Sequence, residues 1–130
     1  MVKKLGIPKE VKTSEGRVSL IPQHITQFTG LADIFVEENA GVGAGFSDKD
    51  YELAGAKIVT SAEELYGVSD VICKVKEPQE SEYDLLRPEH VLFGYLHLAS
   101  NLKLTKKLLE KKLTAIATEM IMRDGIYPLL

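Results

Sequence analysis

A lysine and a histidine stand at the ends of two apolar runs, Val71-Ile-Cys-Lys-Val-Lys-Glu-Pro78 and Val91-Leu-Phe-Gly-Tyr-Leu-His97, and an arginine sits in the polar stretch Ser14-Glu-Gly-Arg-Val-Ser-Leu20. Lys76 offers an ammonium to an anion. His97 offers an imidazole that can move a proton near neutral pH. Arg17 presents a planar fork of donors that matches a carboxylate. Each also has a plainer reading, as a solvated strand-end lysine, a histidine satisfied by a backbone carbonyl and a surface arginine. What joins them is position: each follows the end of an expected strand, and in an open α/β sheet ligands bind just outside the carboxyl ends of the strands. An anion clamp, an ammonium and an imidazole gathered there suit a small anionic substrate that undergoes proton transfer.

Strand alternation refines the picture. Val71, Cys73 and Val75 are expected on one face, with Ile72, Lys74 and Lys76 on the other. Two lysines on a buried face need partners, and Lys74 is expected to form a structural ion pair. By the same arithmetic Val91, Phe93, Tyr95 and His97 share a face, which aligns the phenol and imidazole toward the carboxyl end. His24, on a helix, and His90, in a turn after Pro88, are assigned no role. The cluster Gly41-Val-Gly-Ala-Gly45 follows a strand, but Phe46 falls where a dinucleotide fingerprint needs its third glycine and Lys57-Ile-Val59 ends without the usual acidic residue. It reads as a tight turn, and no residue is assigned to a cofactor or a metal.

The elements that must position these groups alternate strand and helix, the pattern of a mainly parallel sheet with helices on both faces, a Rossmann-like or flavodoxin-like three-layer single domain over residues 1–130. Strands are expected at Lys4 to Ile7, Ile34 to Glu37, Lys57 to Val59, through Lys76, through His97, and at Thr114 to Ala117. A first helix opens at Pro22, which suits an N1 position, with Ile25 and Phe28 on its apolar side. Ser47 or Asp48 caps a short second helix. Ser61-Ala-Glu-Glu64 has the spacing of a capping box for a helix reaching about Tyr66. A short helical stretch runs through Tyr83 and Leu86. Asn101 caps a helix whose apolar side carries Leu102, Leu104, Leu108, Leu109 and Leu113, its lysines solvated. Asp124-Gly125 marks a tight turn.

Length and composition bound the rest. The chain has 130 residues, 45% of them hydrophobic, enough for one core. Its formal charge of -3, without a basic block, argues against nucleic acid. No apolar stretch approaches the ~18 residues of a membrane span and no signal-peptide pattern opens the chain. The lone Cys73 lies in an apolar strand and fits a reducing compartment. A cytoplasmic location is the expectation. The final Tyr127-Pro-Leu-Leu130 is apolar, which suits either a chain whose remainder packs there or leucines that cover the core.

With these residues in view, the chain resembles the amino-terminal part of the family shared by alanine dehydrogenase and the α subunit of nicotinamide nucleotide transhydrogenase. The resemblance is carried by Gly6-Ile-Pro-Lys-Glu10, Gly16-Arg-Val18, Asn39-Ala-Gly-Val-Gly-Ala-Gly-Phe-Ser-Asp48, Ala54-Gly-Ala56, Lys74-Val-Lys-Glu-Pro78 and Tyr95-Leu-His-Leu-Ala99, in order and across essentially the whole length. The histidine in the last segment favours the alanine dehydrogenase branch. The resemblance implies a substrate domain for oxidative deamination of L-alanine to pyruvate and ammonia, with NAD as hydride acceptor. It also implies roles: Arg17 clamps the substrate carboxylate, Lys76 holds the carboxylate or the reacting oxygen, His97 handles protons and Tyr95 lines the pocket. Glu119 is a weaker candidate behind them. The family's NAD-binding domain is absent from these residues, so the chain alone is expected to lack dehydrogenase activity. A separate cofactor-domain polypeptide, a homo-oligomer or a non-catalytic carboxylate-binding module remain open as expectations. A saccharopine dehydrogenase-like fragment fits Lys74-Val-Lys-Glu-Pro78 less well.

Overall fold

The computed structural model describes residues 3–130. Six strands form one sheet: β1 (Lys3–Ile7), β2 (Ala32–Glu37), β3 (Lys57–Val59), β4 (Val71–Lys76), β5 (Val91–Tyr95) and β6 (Thr114–Ala117). All neighbours pair in parallel, in the order β3-β2-β1-β4-β5-β6. The chain therefore winds outward from β1 to β3, returns to place β4 on the other side of β1, and winds outward again. The segments leaving β1 and β4 diverge at the point where strand order reverses, and a crevice opens there.

Helices follow where their caps allow. Pro22 starts α1 (Pro22–Ile25), a single turn continued as a 3-10 turn to Phe28. Ser47 and Asp50 form a reciprocal capping box on α2 (Asp48–Leu53). On α3 (Ala62–Val68) the Ser61 hydroxyl accepts the Glu64 amide as expected. The Glu64 carboxylate instead takes the amide of Thr60, one residue earlier, and the helix runs past Tyr66 to Val68. Asn101 caps α4 (Leu102–Lys111) through the amide of Leu104. The stretch through Tyr83 is a 3-10 segment, Glu80–Leu85.

Two cores result, one on each side of the sheet. Ile7, Ile34, Val36, Ala40 and Tyr51 close under α1 and α2, whereas Leu65, Tyr66, Ile72, Leu92, Leu96, Leu104 and Leu108 close under α3 and α4. The apolar side of α4 is narrower than the leucine pattern suggested, because Leu102 and Leu109 lie in solvent. No α-helix among the described residues covers the side of β4 and β5 that carries Cys73, Phe93 and Tyr95; a cavity of about 420 Å³ lies there instead, bounded by the Arg17–Ile21 segment and Leu129. The terminal leucines do not seal a core, since Leu130 is 84% exposed. Asp124 and Gly125 both take positive φ in a tight turn closed by reciprocal Arg123–Ile126 hydrogen bonds. No helix among the described residues is long and apolar enough to cross a membrane.

Candidate functional site

The site begins with an irregularity in β4. Cys73 pairs with Phe93, yet Tyr95 pairs with Lys76, so β4 carries one residue more than β5 over the same distance. Such a bulge resets the alternation beyond it. Lys76 consequently lies in register with Tyr95, on the face of Cys73 and Phe93, and not with Lys74 as strict alternation had it. Two features hold the bulge. The Glu10 carboxylate accepts the amides of Val75 at 3.1 Å and Lys76 at 2.9 Å. Opposite, a Cβ on Gly94 would stand 2.6 Å from the Lys74 carbonyl oxygen, so only glycine fits without a shift.

Lys74 forms the ion pair expected of it, and more. Its Nζ lies 2.9 Å from Glu82 and 3.4 Å from Glu10, with all three side chains buried. Tyr66 donates to Glu82 at 3.0 Å, and the Gln79 amide donates to its other oxygen at 2.8 Å. Burial raises the Glu10 carboxyl, opposed by Lys74 and the two bulge amides. Lys76, by contrast, is half-buried and has no ion-pair partner among the described residues.

β5 ends at Tyr95, two residues earlier than expected. His97 lies outside the strand with φ 49° and ψ 40°, a left-handed conformation that costs energy in a residue with a side chain. Glu119, after β6, supports that turn by accepting the amides of Leu96 at 3.1 Å and His97 at 2.7 Å. The Tyr95 and His97 rings still stack, 6.5 Å apart and 25° from parallel. His97 Nδ1 lies 3.1 Å from Glu77, whose other oxygen meets Lys12 Nζ. Burial pushes the Glu77 carboxyl up, but the hydrogen bonds from Lys12 and His97 outweigh it and leave it below the usual carboxylate range. With the Nδ1 proton directed at Glu77, the tautomer inferred from that contact, Nε2 is the basic nitrogen.

Arg17 is 67% exposed at its side chain, and one edge of its fork is already taken. Nε and Nη2 donate to the two oxygens of Glu15 at 2.9 and 2.8 Å. Those bonds hold the Glu15 carboxyl down to about 2. The Nη1 edge has no hydrogen-bond partner among the described residues. Arg17 and Tyr95 share the 420 Å³ cavity, whereas His97 borders a separate hollow with Ala117, Glu119 and Met120. The Tyr95 hydroxyl donates to the Leu129 carbonyl, at the rim of the first cavity.

The glycine cluster serves the Arg17 loop. A Cβ on Gly43 would meet the Gly16 carbonyl oxygen at 2.5 Å, and one on Gly41 would meet the Tyr51 ring at 2.6 Å. Gly43 lets backbone pack on backbone beside Arg17, and Gly41 leaves room for the Tyr51 ring. The start of α2 beyond them carries Asp48 and Asp50, with Asp50 spent on the Ser47 amide. The described residues therefore do not fit a dinucleotide: the close glycine contacts are internal, and carboxylates stand where a pyrophosphate needs amide groups. Glu10, Lys12, Glu15 and Glu77 escaped the sequence reading, although the first and last lie in the segments Gly6-Ile-Pro-Lys-Glu10 and Lys74-Val-Lys-Glu-Pro78. Of the other histidines, His90 is buried with Nδ1 accepting the Arg87 amide, and is structural.

The model of the protein family described as "Alanine dehydrogenase/PNT, N-terminal domain" matches residues 6–130. An alanine dehydrogenase of Staphylococcus epidermidis is 46% identical over 129 residues, covering 98% of this chain and 34% of that protein. One of Methanococcus maripaludis is 41% identical over 128 residues, covering 97% and 34%. Among solved structures, an L-alanine dehydrogenase superposes with a TM-score of 0.92 at 42% identity, over 96% of this chain and 35% of that one. A transhydrogenase from Sinorhizobium meliloti superposes at 0.86 with 30% identity, over 93% and 36%. The chain spans about a third of the length of the curated relatives it matches.

Proposed function

Since this chain belongs to the alanine dehydrogenase/PNT N-terminal domain family, we propose that it is the substrate domain of an NAD-dependent alanine dehydrogenase, binding L-alanine and pyruvate at the β1/β4 switch point. The observation that carries this reading is the bulge that turns Lys76 into register with Tyr95, a wall of Arg17's cavity, leaving its ammonium without an ion-pair partner among the described residues while Lys74 is buried between two carboxylates. A 2-oxo or 2-amino acid presents a carboxylate, which Arg17 receives on its Nη1 edge. Lys76 sits where it can hold the second carboxylate oxygen or the oxygen at C2, where negative charge develops.

The proton steps fall to His97. When water adds to the substrate iminium, one O–H bond of the water breaks as its oxygen bonds C2, and Nε2 takes that proton. The same imidazolium then gives a proton to nitrogen; as the C–N bond breaks and ammonia leaves, the neutral ring takes the C2 hydroxyl proton and the carbonyl forms. Glu77 keeps the ring in the tautomer with Nε2 free, and Glu119 keeps the turn that aims it. NAD, which the family implies, supplies hydride acceptance when bound; the residues described above do not fit it, and the isolated chain with L-alanine and NAD is expected to form no NADH.

Titration of the 15N-labelled chain with pyruvate tests the reading. Saturable shifts confined to the amides around Arg17, Lys76, Tyr95 and His97 are expected. Flat spectra at millimolar pyruvate, or shifts centred elsewhere, would sink it.

A further inference from the structure

We infer that Lys12 and Glu77 act as positioning residues for His97, Glu77 by fixing the ring and Lys12 by setting, through Glu77, how tightly the ring holds its proton. The inference rests on His97 being the acid/base group, but its test uses no substrate. Three segments meet here: Lys12 after β1, Glu77 after β4 and His97 after β5. Only the carboxyl edge of a parallel sheet brings those three together. The Glu77 side chain is 9% exposed and its oxygens are divided, Oε1 to Lys12 and Oε2 to His97 Nδ1 at 3.1 Å.

That division has an electrostatic consequence. A carboxylate facing an imidazole alone favours the imidazolium strongly. A second cation on the same carboxylate offsets part of that charge. Other titratable groups packed about this turn are the Tyr95 phenol, stacked on the ring, Glu119, whose carboxylate is engaged by the Leu96 and His97 amides, and Lys76, in register with Tyr95. Lys12 is thereby the group that tunes a catalytic-type histidine without touching it, and a surface lysine with no functional role would leave the ring's titration unchanged.

The test is an NMR titration of the imidazole 15N signals in the whole 130-residue chain, with Lys12→Met, Glu77→Gln and the double variant; His97→Asn assigns the signal among three histidines. Lys12→Met is expected to raise the His97 midpoint by about 0.5–1 pH unit and Glu77→Gln to lower it by about as much. The double variant should match Glu77→Gln alone, because Lys12 acts through that carboxylate. Lys12→Arg should restore the parent midpoint. An unmoved midpoint in Lys12→Met overturns the inference. So does an equal rise in the Glu77→Gln background, which would mean that Lys12 acts on the ring directly. If Glu77→Gln does not fold, the contrast between Lys12→Met and Lys12→Arg decides. Loss of pyruvate shifts in the parent chain bears on the substrate reading and leaves this result untouched.

Discussion

Lys74 and Lys76 are two residues apart on one strand and live in opposite surroundings. Lys74 is 1% exposed at its side chain, between two buried carboxylates, with Tyr66 and a backbone amide completing the second of them. Lys76 is half-buried, free of a carboxylate and in register with Tyr95. The bulge between them decides the difference, since it leaves the first lysine on the helix-covered side and brings the second into register with Tyr95, on the face no α-helix covers among the described residues. One cluster spends its charges on architecture, and the other leaves a charge available. Burying an ion triad is tolerated only because every carboxylate oxygen finds a partner. Leaving an ammonium unpaired is tolerated only because it stays near water.

The contrast can be broken most forcibly at Lys74. Lys74→Met strands Glu10 and Glu82 against each other without a cation and is expected to cost about 3–5 kcal/mol in urea unfolding, whereas Lys76→Met should stay within roughly 0.5 kcal/mol. Equal losses would erase the distinction. Next in size is the bulge itself. Gly94→Ala pushes a methyl against the Lys74 carbonyl, a backbone atom that cannot swing aside, and is expected to cost about 1–3 kcal/mol in the same assay.

Arg17→Ala sharpens the ligand side. It should weaken pyruvate binding about tenfold or more, the worth of a charge-assisted hydrogen bond, and lower stability at pH 7 by the contribution of the Glu15 pair. Its acid behaviour should change as well. In the parent chain Glu15 has a depressed carboxyl, so its contribution to stability is present above its ordinary value of 4.5 and is lost as pH falls toward about 2. Arg17→Ala removes that contribution, and unfolding curves taken from pH 5 to pH 2 should show a shallower decline for the variant. The smallest effect is expected at Leu109→Ala, within roughly 0.5 kcal/mol, because that side chain is 72% exposed despite its place in the leucine pattern.

Much of this was readable in the sequence. Period-two runs, prolines and capping residues gave β3, β4 and β6 their ends and put α4 after Asn101, because these signals are local. Phe46 gave away the glycine cluster as a turn. What local signals cannot carry is register across strands. Nothing in Val71 to Lys76 announces an extra residue relative to β5, so the face of Lys76 came out reversed, and His97 was placed on a strand that ends at Tyr95. The supporting carboxylates were hidden for the same reason: Glu10 lies 65 residues from Val75 and Glu77 lies 65 from Lys12, and only the fold makes them neighbours. Arg17 is legible by its type, but the Glu15 carboxylate on its fork depends on how the loop folds.

The most direct test of the account is the pyruvate dissociation constant of Lys76→Ala against the parent chain, with urea unfolding run on the same samples. The account predicts at least a tenfold loss of affinity at an unchanged unfolding midpoint. Unchanged affinity would contradict it, and would mean that the ammonium turned outward by the bulge is a solvated strand end and not part of a substrate site.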